Sequence, residues 1–257
     1  FRPDVLGTTI HDLRFTIYAQ GGQIMKTIGL IGGLTWESTI EYYRIINEEV
    51  ARRLGGVHSA RILMHSFDFQ DIDTLMLAGR WEEVGAKAAE AGLGLESLGA
   101  DFLLICSNTI HKVAEAVSAT VSVPLIHLAD VTAEAVKKKG IGKVGLLGTI
   151  FTMEHDFYKG RLAQKHGLEV LIPEKEDRAF VNRVIDEELA LGELKEASRA
   201  RFLGIIDDLA RRGVGGVILG CTEIPLLIKQ PDTAVTLFDT TRLHSLAAVE
   251  EALKGDS

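Results

Sequence analysis

Phe102, Leu103, Leu104, Ile105, Cys106, Ser107, Asn108, Thr109 is the stretch that decides the reading: four apolar residues run into a thiol and three polar side chains. So short an apolar run, ended by polar residues, reads as a buried strand delivering Cys106 to a sheet edge. Val217, Ile218, Leu219 and Gly220 do the same for Cys221, which Thr222 and Glu223 follow. The chain has 2 cysteines in 257 residues, and these are both. Upstream, Thr27 to Gly33 reads as a buried strand entering a glycine turn. Residues 36–54 then place Ile40, Tyr43, Ile46, Val50 and Leu54 at amphipathic-helix spacing, ended by Gly55 and Gly56. A second strand fits 60–65, a loop or short helix 66–79, and a helix 81–98. After Cys106 come a helix over 110–117 and a strand over 123–128. Strands alternating with helices imply parallel pairing, hence an α/β fold.

The pattern then restarts. Val144, Gly145, Leu146, Leu147, Gly148 echoes the first strand, with Gly145 standing 116 residues after Gly29 and Cys221 standing 115 after Cys106. Two landmarks in nearly one register point to an internal duplication. The second copy is expected to hold a helix over 153–166, a strand near 168–172, helices within 175–191 and 194–212, and a short helix after Cys221. A strand over 234–238 and a helix over 240–253 are left over, and are expected to return to the first half. The expected organisation is an extension over 1–24, vector-derived or foreign to the fold, a first α/β domain over 25–123 plus 231–257, and a second over 124–230.

Bulk properties exclude several classes. A net charge of −8 without a basic run gives no footprint for nucleic acid. Apolar stretches are strand-sized, well short of the ~20 residues that cross a bilayer. Two cysteines make no disulfide framework, and no Cys/His pair has metal-ligand spacing, so a cytoplasmic setting and no metal are expected. The glycine loop is not spaced as GxGxxG, and no acidic residue ends the second strand, which argues against a dinucleotide.

In parallel sheets ligands sit beyond the carboxyl ends of the strands, where both cysteines stand. If a pseudo-two-fold axis relates the halves, the thiols face each other across a bound small molecule. One thiolate could then remove a proton from carbon while the opposite thiol protonates the other face, inverting a stereocentre. A following helix start would lower the thiol pKa. Asn108, Thr109, Thr222 and the amides of Gly32 and Gly33 are donors for the developing enolate. Asn108 and Thr222 can equally be helix N-caps, and a lone cysteine at a strand end can be a small buried hydrophobe. His65, His111, His127 and His155 are scattered and read as structural or exposed, with His111 a turn beyond Asn108. The run Asp186, Glu187, Glu188 reads as a solvated helix face.

MKTIGLIGGLTWESTIEYYRIINE at 25–48, CSNTIHKVA at 106–114, LLGTIFTMEHDFY at 146–158 and GCTEIPLL at 220–227 resemble the cofactor-independent aspartate/glutamate racemase family, over essentially all of 25–253. The first stretch is most similar to its bacterial broad-specificity branch. The resemblance implies two similar parallel-sheet α/β domains with the active site in the cleft between them, a homodimer, no cofactor, and Cys106 and Cys221 as paired acid and base. It further implies that Ser107, Asn108, Thr109 and Thr222 hold the substrate's carboxylate and amino groups, that Leu34, Thr35, Met76, Thr149 and Thr152 wall the pocket, and that Glu223 relays protons beside Cys221.

One departure bears on the substrate. Aspartate-specific members are similar in carrying an arginine after the second strand and a lysine in a second-domain helix. Here 65–72 has no arginine and 187–193 no lysine, which leaves room for neutral or broader amino acids beside aspartate and glutamate. Hydantoin racemisation, maleate isomerisation and silent ligand binding stay open as alternatives, and the Cys-Thr-Glu sequence favours amino-acid racemisation.

Overall fold

The computed structural model describes residues 25–254, so the expected extension over 1–24 lies outside the described residues. β1 (Ile28–Gly32) is buried along its whole length, as a parallel strand covered on both faces must be. α1 (Trp36–Leu54) starts where the Thr35 side chain accepts from the Ser38 N–H. Its buried stripe runs through Tyr42, Ile45, Ile46 and Val50, while Ile40, Tyr43 and Leu54 of the expected stripe stay exposed. β2 (Ile62–Ser66), α2 (Phe69–Leu77), α3 (Trp81–Ser97) and β3 (Phe102–Ile105) follow as expected. The helix after Cys106 is tighter than expected, a 3₁₀ turn over Thr109–Val113 continued by α4 (Ala114–Thr120).

The strand expected over 123–128 shrinks to a single bridge between Leu125 and Leu103. Pro124 lends its carbonyl to the Leu103 N–H at 2.8 Å but has no N–H to extend the ladder. The chain then enters α5 (Leu128–Lys138), a helix the strand reading overlooked although Leu128, Thr132 and Val136 recur at a four-residue interval.

The second half runs β4 (Lys143–Gly148), α6 (Ile150–Glu154), α7 (Asp156–His166), β5 (Glu169–Leu171), α8 (Lys175–Glu187), α9 (Glu196–Arg211), β6 (Gly216–Gly220), α10 (Ile224–Leu227), β7 (Thr236–Asp239) and α11 (Thr240–Ala252). The helix expected over 153–166 is broken at His155, whose backbone is extended. Both sheets are parallel, ordered β2-β1-β3 and β5-β4-β6-β7, and the Leu125 bridge stands beside β3 as β7 stands beside β6. The duplication therefore includes a fourth extended segment and a closing helix in each half.

Those closing helices are exchanged. α5 follows the first sheet but packs Leu128, Ala129, Ala133 and Val136 against Val144, Leu146, Tyr158 and Ile218 of the second half. α11 follows the second sheet but packs Ala248, Val249 and Ala252 against Ile28, Leu30, Tyr42 and Phe102 of the first. The expected divisions at 123/124 and 230/231 thus differ from the strand pairing: Leu125 belongs with the first sheet and β7 with the second, and of the leftover tail only the helix crosses back. A strand hydrogen-bonds where its neighbour offers a free edge, and β6 offers one to β7.

Candidate active site

A cavity of about 430 Å³ opens at the carboxyl ends of the two sheets. The first half gives it Leu34 and Thr35 after β1, Asp73 and Met76 from α2, and Ser107, Asn108 and Thr109 after β3. The second half gives Thr149 after β4, Asn182 and Asp186 from α8, and Cys221, Thr222 and Glu223 after β6. These walls include every expected site residue except Cys106 and Thr152. Thr152 lies directly behind the wall, 3.4 Å from the Thr109 hydroxyl and 3.2 Å from that of Thr149.

Glu223 is the best-connected side chain here. Its carboxylate, 4% exposed, accepts from the Thr35 and Ser38 hydroxyls at 2.7 Å each, from the Cys221 thiol at 2.7 Å and from the Thr222 hydroxyl at 2.9 Å. Four donors compensate the desolvation of this carboxylate without a cation. Thr35 and Ser38 belong to the first half, so these bonds also close the cleft. The reciprocal contact runs the other way: Thr109 of the first half meets the Thr149 hydroxyl of the second at 3.0 Å.

Both thiols stand above their ordinary range, opposite to the lowering expected from a helix start. Burial pushes Cys106 up, and burial together with the Glu223 carboxylate pushes Cys221 up. The 3₁₀ turn after Cys106 and the four-residue α10 after Cys221 offer little dipole against that. Cys106 is fully buried among Ile28, Leu30, Tyr42, Phe102 and Leu104, on the face covered by α1 and α11. Cys106 therefore does not line the cavity that Cys221 lines.

Other readings change as well. Asn108 takes the N-cap position of the 3₁₀ turn without a side-chain cap bond, its amide donating to Thr240 at 3.1 Å and its Oδ1 buried without a partner, while Glu223 rather than Thr222 stands at the cap of α10. The Gly33 N–H is taken by the Thr39 hydroxyl at 2.9 Å. Of the acidic run, Asp186 stands on the cavity wall and Glu188 is buried, accepting from the Ser198 hydroxyl at 2.6 Å. Burial and the facing Asp73, Glu187 and Glu223 carboxylates raise the Asp186 carboxyl. Asp73, Asn182 and Asp186 were not anticipated; superposing the two copies would have found them, since α2 and α8 both follow the second strand of their half. Among the described residues lining the cavity none is lysine or arginine.

His111 is structural as expected, its Nδ1 donating to the Ser107 carbonyl at 2.6 Å and its Nε2 accepting from the Leu128 N–H at 3.2 Å. Its ring meets His127 at a tilt and His244 edge-on, and no group of metal-ligating side chains forms among the described residues. No helix among them is long and apolar enough to cross a membrane.

Two parallel α/β halves thus enclose a cleft whose wall carries a thiol hydrogen-bonded to a carboxylate. Residues 31–248 match the Asp/Glu/Hydantoin racemase family, and the chain belongs to it. Membership makes it a racemase-type isomerase. A Yersinia pestis crystal structure, provisionally described as an Asp/Glu racemase, is 49% identical, covers 90% of this chain and 100% of its own, and superposes with a TM-score of 0.85. An aspartate racemase homologue from Pyrococcus horikoshii is 38% identical over 90% of this chain and 100% of its own, with a TM-score of 0.78. Glutamate racemase of Persephonella marina is 28% identical over 75% of this chain and 77% of its own length.

Proposed function

We propose that this chain racemises free amino acids at Cα without a cofactor, with Cys221 moving the proton and Glu223 exchanging it onward. The observation that carries this reading is the Cys221 thiol donating to a buried carboxylate at the cavity wall. When the proton passes to Glu223, the thiolate left behind can take the Cα proton, and the thiol so formed recovers its partner. The orphan Asn108 Oδ1 is an acceptor for the substrate's ammonium group, and the Thr109–Thr149 hydroxyl pair is a donor for its carboxylate, where enolate charge develops.

The cavity's charge argues about the side chain. Asp73 and Asp186 stand on its walls without a lysine or arginine beside them, so a second carboxylate would enter against like charge and without a cation. Amino acids with neutral or cationic side chains fit better than aspartate or glutamate. The homodimer that the resemblance implies belongs to this reading, with sedimentation velocity as its test.

The test is α-proton exchange followed by NMR in D2O, with both enantiomers of lysine, alanine, aspartate and glutamate. Exchange with inversion of any of them, lost in Cys221→Ala, supports the reading. A folded wild type that exchanges none of them sinks it, and hydantoins and dicarboxylates become the next substrates to try.

A further inference from the structure

The near-equal spacing of the cysteines and the first strands hides a one-residue slip, and the pairing of the strands reveals it. In the first sheet Gly29 pairs with Leu103, and in the second Gly145 pairs with Val217. Gly145 follows Gly29 by 116 residues but Val217 follows Leu103 by only 114. Counting along β3 and β6 from that pair, Cys106 falls on Gly220 and Ser107 falls on Cys221. A slip of one residue in a strand moves a side chain to the opposite face.

Two independent observations agree. Cys106 shares the face of Phe102 and Leu104 under α1 and α11, whereas Cys221 shares that of Val217 and Leu219 under α8 and α9, the helices that α2 and α3 match in the first half. The bonds that cross the cleft follow the same register. Glu223, two residues after Cys221, accepts from Thr35, the cap of α1; Thr109, two residues after Ser107, meets Thr149, the cap of α6.

Building on the racemase reading, we infer that Ser107, not Cys106, is the group opposite Cys221 across the substrate's Cα, so that the site works with one thiol and one hydroxyl. Ser107 lines the cavity, its Oγ accepts from the Ile110 N–H at 3.4 Å, and among the described residues its own proton has no acceptor. The steps balance. The Cys221 thiolate takes the Cα proton: the C–H bond breaks, S–H forms, and the electron pair passes into the substrate's carboxylate as an enolate. For inversion the enolate pair forms a new C–H bond with the Ser107 proton on the other face, and the alkoxide is reprotonated by cavity water, whose hydroxide the Cys221 thiol neutralises. A hydroxyl is a far weaker acid than a thiol, so the carbanion recaptures a proton from Cys221 more often than it takes one from Ser107. The enantiomer whose Cα–H faces Cys221 therefore exchanges with retention faster than it inverts, and the other enantiomer exchanges only as it inverts.

The experiment pairs that exchange assay with alkylation by iodoacetamide, read by mass spectrometry of the folded protein. In the wild type one enantiomer is expected to gain deuterium about tenfold faster than it inverts. Ser107→Ala is expected to lower inversion about 100-fold while sparing that exchange, Ser107→Cys to raise inversion, and Cys106→Ala, checked for folding by its melting temperature, to change neither by more than about twofold. Alkylation is expected at Cys221 alone, with Ser107→Cys adding a second labelled site. Loss of inversion in folded Cys106→Ala with Ser107→Ala unaffected, or labelling of Cys106 as fast as Cys221, overturns the inference. A wild type that exchanges nothing overturns the racemase reading and the proton steps together, and the labelling then still decides which residue faces Cys221.

Discussion

Lowering the pH should destabilise this protein through the histidines packed beneath its site, and the loss can be worked out beforehand. His111 donates from Nδ1 to Ser107 and accepts at Nε2 from Leu128; His244 contacts the Ile126 carbonyl through Nε2 and the Tyr42 hydroxyl through Nδ1. Each ring thus bonds as one neutral tautomer, and a second proton would remove an acceptor. Burial pushes His111 down to about 4 and His244 down to about 3. The unfolded chain, with histidines near 6.5, binds more protons than the folded one below that pH, so stability is complete above 6.5 and lost as pH falls toward the native values. At 1.36 kcal/mol per unit, each ring costs about 2 kcal/mol between pH 7.5 and 5, and the two together about 4 kcal/mol, a large part of a typical 5–15 kcal/mol. Urea unfolding at half-unit intervals over that range measures the slope. His111→Gln should flatten it by up to about 1.4 kcal/mol per pH unit while lowering stability at pH 7.5. A flat wild-type profile, or equal slopes in the two proteins, refutes the reasoning.

Glu223→Gln removes the carboxylate that accepts the Cys221 proton, so α-proton exchange should fall about 100-fold while the thiol titrates lower, read by thiolate absorbance. Asp186→Asn should reduce kcat/KM for lysine about tenfold, or 1.4 kcal/mol, relative to alanine; equal effects on both would remove the charge argument. A Cβ at Gly148 would lie 2.7 Å from the Gly220 carbonyl oxygen, so Gly148→Ala should cost about 1–3 kcal/mol in urea unfolding because backbone cannot swing aside. Asp130 on α5 accepts from Arg161, Lys165 and His166 of α7, which hold its carboxyl well below the usual range. Asp130→Asn should lower stability by about 1–3 kcal/mol above pH 5, and less at high salt.

Local signals were enough for the α/β class, for most of the strands and for the edge positions of Ser107, Asn108, Thr109, Thr222 and Glu223, because a four-residue apolar run beside a helical period leaves few alternatives. The duplication was legible too, since its glycine and cysteine landmarks recur at nearly one interval. What sequence spacing could not fix was face. An offset of 115 between cysteines differs by one from the 114 set by the hydrogen-bonded register, and in a pleated strand that one residue separates a thiol under α1 from a thiol in the cleft. Pairing partners lay equally out of reach: β7 follows the second copy in the chain and joins its sheet, while α11, only a residue further on, packs on the first. The acid-lined wall from α2 and α8 likewise depends on which side of each helix the other half covers. The sequence by itself determined the strands, the turns and the chemistry carried to their ends; register, helix exchange and the choice of groups that meet in the cavity were decided only by tertiary packing, because they depend on hydrogen bonds and burial between residues far apart in the chain.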